Sequence, residues 1–100
     1  MKIWIDDIRK APDGYVHLKT LQEFKTFLTQ WNGEIEILDL DHDLGENEPT
    51  GYDIIKWFYT LFPTRFPKKV LCHSSNPPGK ENILKFVESV IRNREETNDL

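Results

Sequence analysis

Three short apolar runs in this chain each end in a cluster of polar, chemistry-bearing side chains. Lys2-Ile3-Trp4-Ile5 leads into Asp6-Asp7, and Ile35-Glu36-Ile37-Leu38 leads into Asp39-Leu40-Asp41-His42-Asp43. Lys69-Val70-Leu71-Cys72 leads into His73-Ser74-Ser75-Asn76. Short apolar runs rich in β-branched and aromatic residues read as buried strands. Carboxylates at the carboxyl ends of parallel strands face the crevice in which α/β sheets place their ligands. If the three ends converge, they form a pocket of carboxylates, imidazoles and hydroxyls, suited to a divalent cation and a phosphate-bearing ligand.

The segments between these runs supply the other elements. Residues 7–14 read as a loop with turn signals at Pro12 and Asp13-Gly14, and Tyr15 to Lys19 alternate as a second strand. Thr20 and Glu23 match a capping box. The helix they open runs to about Trp31, with Leu21, Phe24, Leu28 and Trp31 on one stripe, and Asn32-Gly33 stops it. The third strand spans 34–40 and a polar loop spans 42–50. A second helix over 51–62 is capped by Thr50 with Asp53 and turns Ile54, Ile55, Phe58, Leu61 and Phe62 inward. The fourth strand covers 69–73. Asn76-Pro77-Pro78-Gly79 breaks the chain, and a last helix over about 80–93 carries Ile83, Leu84, Val87, Val90 and Ile91 on its apolar face. The polar tail, 93–100, is expected to fray.

Strands alternating with helices imply a mostly parallel sheet covered by helices. The first two strands are joined by fewer residues than a parallel crossover usually needs. A bare loop can still run back along so short a strand, so strand two is expected to be parallel, with antiparallel as the alternative.

One hundred residues allow one domain with one modest core. A net charge of −4 argues against an extended nucleic-acid surface held by a general basic field, but not against a small nucleotide in a local site. The single cysteine, Cys72, lies in an apolar run and excludes a disulfide framework. No run is long enough to span a membrane, and the N-terminus lacks a signal-peptide pattern, so a cytoplasmic location is expected.

Several strings together resemble a known family. Asp6-Asp7-Ile8-Arg9 with Pro12 and Gly14, Leu40-Asp41-His42-Asp43-Leu44-Gly45, Thr50-Gly51-Tyr52-Asp53 and His73-Ser74-Ser75-Asn76-Pro77 with Gly79 are similar to the cyclic-phosphate processing receiver domains. The resemblance runs from residue 2 to about 91. It implies a small three-layer flavodoxin-like fold with four mostly parallel strands in order 2-1-3-4 and three helices, lacking the first crossover helix and the fifth strand and helix of a full receiver. It also implies a bacterial or phage origin and a role in handling cyclic-phosphate nucleotides or RNA ends. A full receiver pairs its phosphoryl group with a lysine after the fifth strand. Here Lys68 and Lys69 fall at the wrong end of strand four, and Lys80 is the one substitute.

Within this frame, Asp6, Asp7 and Asp41 are the expected metal ligands, since clustered carboxylates repel unless a cation or proton relieves them, and Mg²⁺ favours oxygen donors. The plain alternative is that Asp6 caps a loop and Asp7 pairs with Arg9 or Lys10. His42 and His73 are candidates, with Asp41, for the catalytic groups, as acid and base or as carboxylate-orienting partners. Arg9, Ser74, Ser75 and Asn76 are expected to bind phosphate, helped by the free amides of the following helix; Asn76 could equally be that helix's cap. Asp39 and Asp43 are secondary members. The functional expectation is a metal-assisted phosphoesterase. A non-catalytic nucleotide-binding module and a degenerate receiver used for protein contact are the alternatives.

Overall fold

The computed structural model describes residues 1–98. The elements run β1 (Lys2–Ile5), β2 (Tyr15–Leu18), α1 (Leu21–Gln30), β3 (Ile37–Leu40), α2 (Gly51–Leu61), β4 (Lys69–Cys72) and α3 (Pro77–Asn98), with a single 3-10 turn at Pro63–Arg65. The four strands form one sheet in order β2-β1-β3-β4, and every pairing is parallel. Strand two is therefore parallel to strand one although only the 6–14 loop joins them.

The caps act as their chemistry dictates. Thr50 Oγ1 accepts from the Asp53 amide at 3.1 Å, and the Asp53 carboxylate accepts from the Thr50 amide at 2.9 Å, a complete capping box for α2. At α1 the Thr20 hydroxyl accepts from the Glu23 amide, and the return bond from Glu23 is not formed. The last helix begins at Pro77, three residues before the expected start, and continues to Asn98. Proline breaks a helix interior but suits its first turn, where the missing N–H has no intrahelical partner anyway.

The core lies on one side of the sheet. Ile3, Ile5, Leu18, Leu38, Leu40, Val70 and Cys72 are buried there against Phe24 of α1, Ile54, Ile55 and Phe58 of α2, and Ile83, Val87 and Val90 of α3. Burial pushes the Cys72 thiol up, which leaves it an inert core group. The helices form a single layer: Phe24 stacks on Phe58, and Phe86 of α3 meets Tyr52 and Tyr59 of α2 edge-on. Leu61, Leu84 and Ile91, expected to face inward, are 55%, 40% and 45% exposed at the flanks of this layer.

The expected third layer is not formed by the described residues. Parallel crossovers are right-handed. β2 to β3 and β3 to β4 both move the same way along the sheet, so α1 and α2 must share a face. The β1 to β2 step moves the other way and crosses the opposite face, where the chain supplies only a loop. Trp4 Nε1 donates to the Arg9 carbonyl at 3.0 Å, which ties that loop over the second face. The alternate strand positions on this face are half-buried or exposed: Lys2 and Trp4, Tyr15 and His17, Ile37 and Asp39, Lys69 and Leu71.

Candidate functional site

Register brings the three strand ends together. Ile5 pairs with Leu40, and Leu40 with Cys72. The ladder continues one bond further: Asp6 N donates to Leu18 O, Asp41 N to Ile5 O and His73 N to Leu40 O. Asp6, Asp41 and His73 thus occupy one row across the top of three adjacent strands. One ligating atom from each lies within 4.8 Å of the others, a cluster that could hold a metal ion.

Asp6 is 1% exposed, the one buried charged residue among those described. Its Oδ1 accepts from the amides of Ile8 at 2.8 Å and Arg9 at 2.9 Å, which fold the loop back over β1. Its Oδ2 meets His73 Nε2 at 2.8 Å, while His73 Nδ1 meets Asp39 Oδ1 at 2.7 Å. Burial works to raise the Asp6 pKa. The Arg9 and Ile8 amides and the His73 ring outweigh it, and hold the carboxyl below its ordinary value. Trp4 lies flat on His73, with ring centroids 3.7 Å apart and planes 3° from parallel. Both ring nitrogens of His73 are taken, so its orientation is fixed on every side. His17 Nε2 meets the Asp6 carbonyl at 2.7 Å, a structural contact.

Asp41 links the row to the 42–50 loop. Its Oδ1 accepts from the His42 amide at 2.8 Å. His42 Nδ1 meets Asp43 Oδ1 at 3.1 Å, and Asp43 Oδ2 accepts from Asn76 Nδ2 at 3.0 Å. Hydrogen bonds from Asn76 and then His42 hold the exposed Asp43 carboxyl below its ordinary value. Two glycines make this packing possible. A Cβ on Gly79 would lie 2.4 Å from His42 Cγ, and one on Gly51 would lie 2.1 Å from the Asp41 carbonyl oxygen.

A cleft of about 500 Å³ opens above the row, lined by Asp6, Asp7, Ile8, Arg9, Asp41, Asp43, Gly45 and Ser75. Most of the expected site residues therefore share one crevice or its wall. Asp7 pairs with neither Arg9 nor Lys10; its carboxylate faces the cleft but stands outside the three-residue cluster, in which His73 takes its place. Arg9 Nη1 donates to the His73 carbonyl, leaving its other N–H groups to the cleft. Ser75 is exposed in the cleft, whereas Ser74 Oγ accepts from the Asn76 amide.

The helix-terminal anion site expected after Asn76 is not available. Pro77 and Pro78 have no N–H, Gly79 N donates to Asn76 Oδ1 at 3.1 Å, and Lys80 N donates to the Asn76 carbonyl. Asn76 is the cap of α3 and leaves it no free amide. Lys69 opens β4 and Lys68 precedes it, paired with Glu34, so both lie at the far end of the sheet from the cleft.

The family model for the cyclic-phosphate processing receiver domain matches residues 1–89. The chain belongs to that family. No curated protein and no solved structure matches it. Asp6 and Asp41 meet at the top of the two neighbouring strands β1 and β3. The donor set fits a cation: Asp41 has an oxygen with no protein partner, and the Asp7 carboxylate has none on either oxygen among the described residues. Trp4 is the site residue that motif reading missed, whereas Gly51 and Gly79 stand in the family strings themselves. Alternation along β1 and β3 puts Trp4 and Asp39 on the face that leads up to Asp6, a signal that needs only the register to read.

Proposed function

We propose that this domain opens the ring of a cyclic-phosphate nucleotide or RNA end by metal-assisted hydrolysis. The reading rests on one observation: Asp6, Asp41 and His73 converge within 4.8 Å beneath a cleft that also carries Arg9 and Ser75. Asp6, Asp7 and Asp41 are the groups that would hold the cation, with Mg²⁺ suited to their oxygens. When bound, it supplies charge stabilisation for the phosphoryl oxygens. Arg9 offers paired N–H donors to the phosphate, and Ser75 a hydroxyl.

The chemistry needs one proton taken and one given. A water oxygen bonds to phosphorus as the bond to a ribose oxygen breaks; the attacking water's proton goes to a base, and the leaving oxygen takes one from a second, solvent water. His42 is the better base, because its Nε2 has no partner among the described residues while Asp43 fixes Nδ1. His73 is the positioning group: clamped by Trp4, Asp6 and Asp39, it holds the Asp6 carboxylate rather than moving freely. The same clamping favours a second reading, capture of the nucleotide without turnover.

A panel of 2′,3′-cyclic and 3′,5′-cyclic nucleotides, incubated with Mg²⁺ or with chelator, separates the two. Product that disappears with chelator and in Asp41→Asn supports hydrolysis. A rise in melting temperature without product supports capture. Neither response refutes both.

A further inference from the structure

The second face of the sheet carries chemistry that the cleft does not use. All-parallel sheets occur almost only with both faces covered. Here one face carries the helices, and on the other the 6–14 loop is tied to Trp4, His17 and His73 at the upper end of the strands. Below it, register sets Lys2, Ile37 and Lys69 side by side in one row, and Leu71 beside Asp39 in the next. Ile37 and Leu71 are half-buried, and Lys2 and Lys69 are exposed. Neither lysine has a carboxylate partner among the described residues; Lys2 only rests 5.9 Å from the Tyr15 ring. Below the row of Asp6 and Asp41, the one carboxylate among the strand positions of this face, Asp39, is already held by His73. Two cations flank an apolar strip, and no carboxylate among the described residues pairs with either of them.

This charge pattern selects the occupant. A second copy of the chain stacked on this face would set lysine rows against lysine rows. An anionic partner with flat apolar units would satisfy both the lysines and the strip. The strip also runs straight to the site: the row of Asp6, Asp41 and His73 stands four residues up the same strands, about 13 Å away. We propose that this face binds a single strand of RNA whose cyclic-phosphate end lies in the cleft. Phosphates pair with Lys2 and Lys69, and bases pack on Ile37 and Leu71. The proposal rests on the functional reading above and sharpens its substrate from free nucleotide to strand end. It is a local track of two lysines rather than the general basic field that a net charge of −4 argues against.

The test compares two probes on the full chain with Mg²⁺: adenosine 2′,3′-cyclic monophosphate, and a labelled hexaadenylate ending in the same cyclic phosphate. Wild type is expected to bind the strand at least tenfold more tightly than the mononucleotide. Lys2→Gln/Lys69→Gln, whose changes are both at exposed positions, is expected to erase that advantage and leave mononucleotide binding unchanged. The double variant is also expected to lower the slope of log affinity against log salt by about 1.4, the loss of two single-strand phosphate contacts. Equal affinity for the two probes in wild type overturns the proposal and leaves the functional reading standing, as does an unchanged salt slope in the variant. A wild-type dimer in sedimentation that dissociates in Leu71→Lys also overturns it, because a second copy would then cover the face. If neither probe binds, the functional reading fails and takes this proposal with it.

Discussion

A Cβ on Gly79 would sit 2.4 Å from His42 Cγ, so the imidazole and the first turn of α3 touch with no room for a methyl group. Gly79→Ala is expected to cost about 1–3 kcal/mol of stability in urea unfolding. In a His42→Ala background the same change is expected to be neutral or stabilising, because alanine is otherwise the better helix former. A cost that survives removal of the ring would mean that backbone strain, not His42, sets the requirement. Asp6 links single-residue chemistry to pH. Its folded-state pKa is depressed despite burial, so the charged carboxylate contributes stability that is present above its unfolded value of about 3.8 and is lost as pH falls through the lower folded value. Melting temperature between pH 6 and pH 2 is expected to fall more steeply for wild type than for Asp6→Asn. Parallel curves would show that the buried carboxylate is not a main source of the acid loss.

At the scale of elements, Gly51 joins α2 to the site. A Cβ there would meet the Asp41 carbonyl oxygen at 2.1 Å and Leu40 Cδ1 at 2.5 Å, and a backbone oxygen just past a strand end, whose amide is bonded to Ile5, cannot swing aside as a side chain can. Gly51→Ala is expected to cost about 3 kcal/mol and to abolish Mg²⁺-dependent stabilisation, since it displaces Asp41. Thr50→Ala, which removes the neighbouring cap, is expected to cost about 1 kcal/mol and to leave the Mg²⁺ effect intact; unfolding each variant with and without Mg²⁺ distinguishes them. The elements themselves were legible in the sequence wherever a local signal was strong. Thr50 and Asp53 marked α2, and the apolar runs marked β1, β3 and β4. The start of α3 was not, because Pro77 and Pro78 read as a break when their true place is the first helical turn. That error carried a functional one: a helix opened by two prolines and capped by Asn76 has no amide left for an anion.

At the scale of the molecule, topology decides what the motifs can become. The acidic strand ends could be read as metal ligands from the sequence, and Asp6 and Asp41 do meet. That His73 rather than Asp7 completes the cluster depends on the register of β4 against β3, which no local signal encodes. The missing layer likewise follows from crossover handedness and one short loop, not from any residue's propensity. The central claim, proposed above, is that Asp6, Asp7 and Asp41 hold a divalent cation, with His73 orienting the Asp6 carboxylate. Paramagnetic broadening of backbone amide signals by Mn²⁺, competed with Mg²⁺, tests it directly. Amides of Asp6, Asp7, Asp41 and His73 are expected to broaden first and to recover with excess Mg²⁺. Broadening centred elsewhere, or none at these positions at millimolar Mn²⁺, would contradict the account.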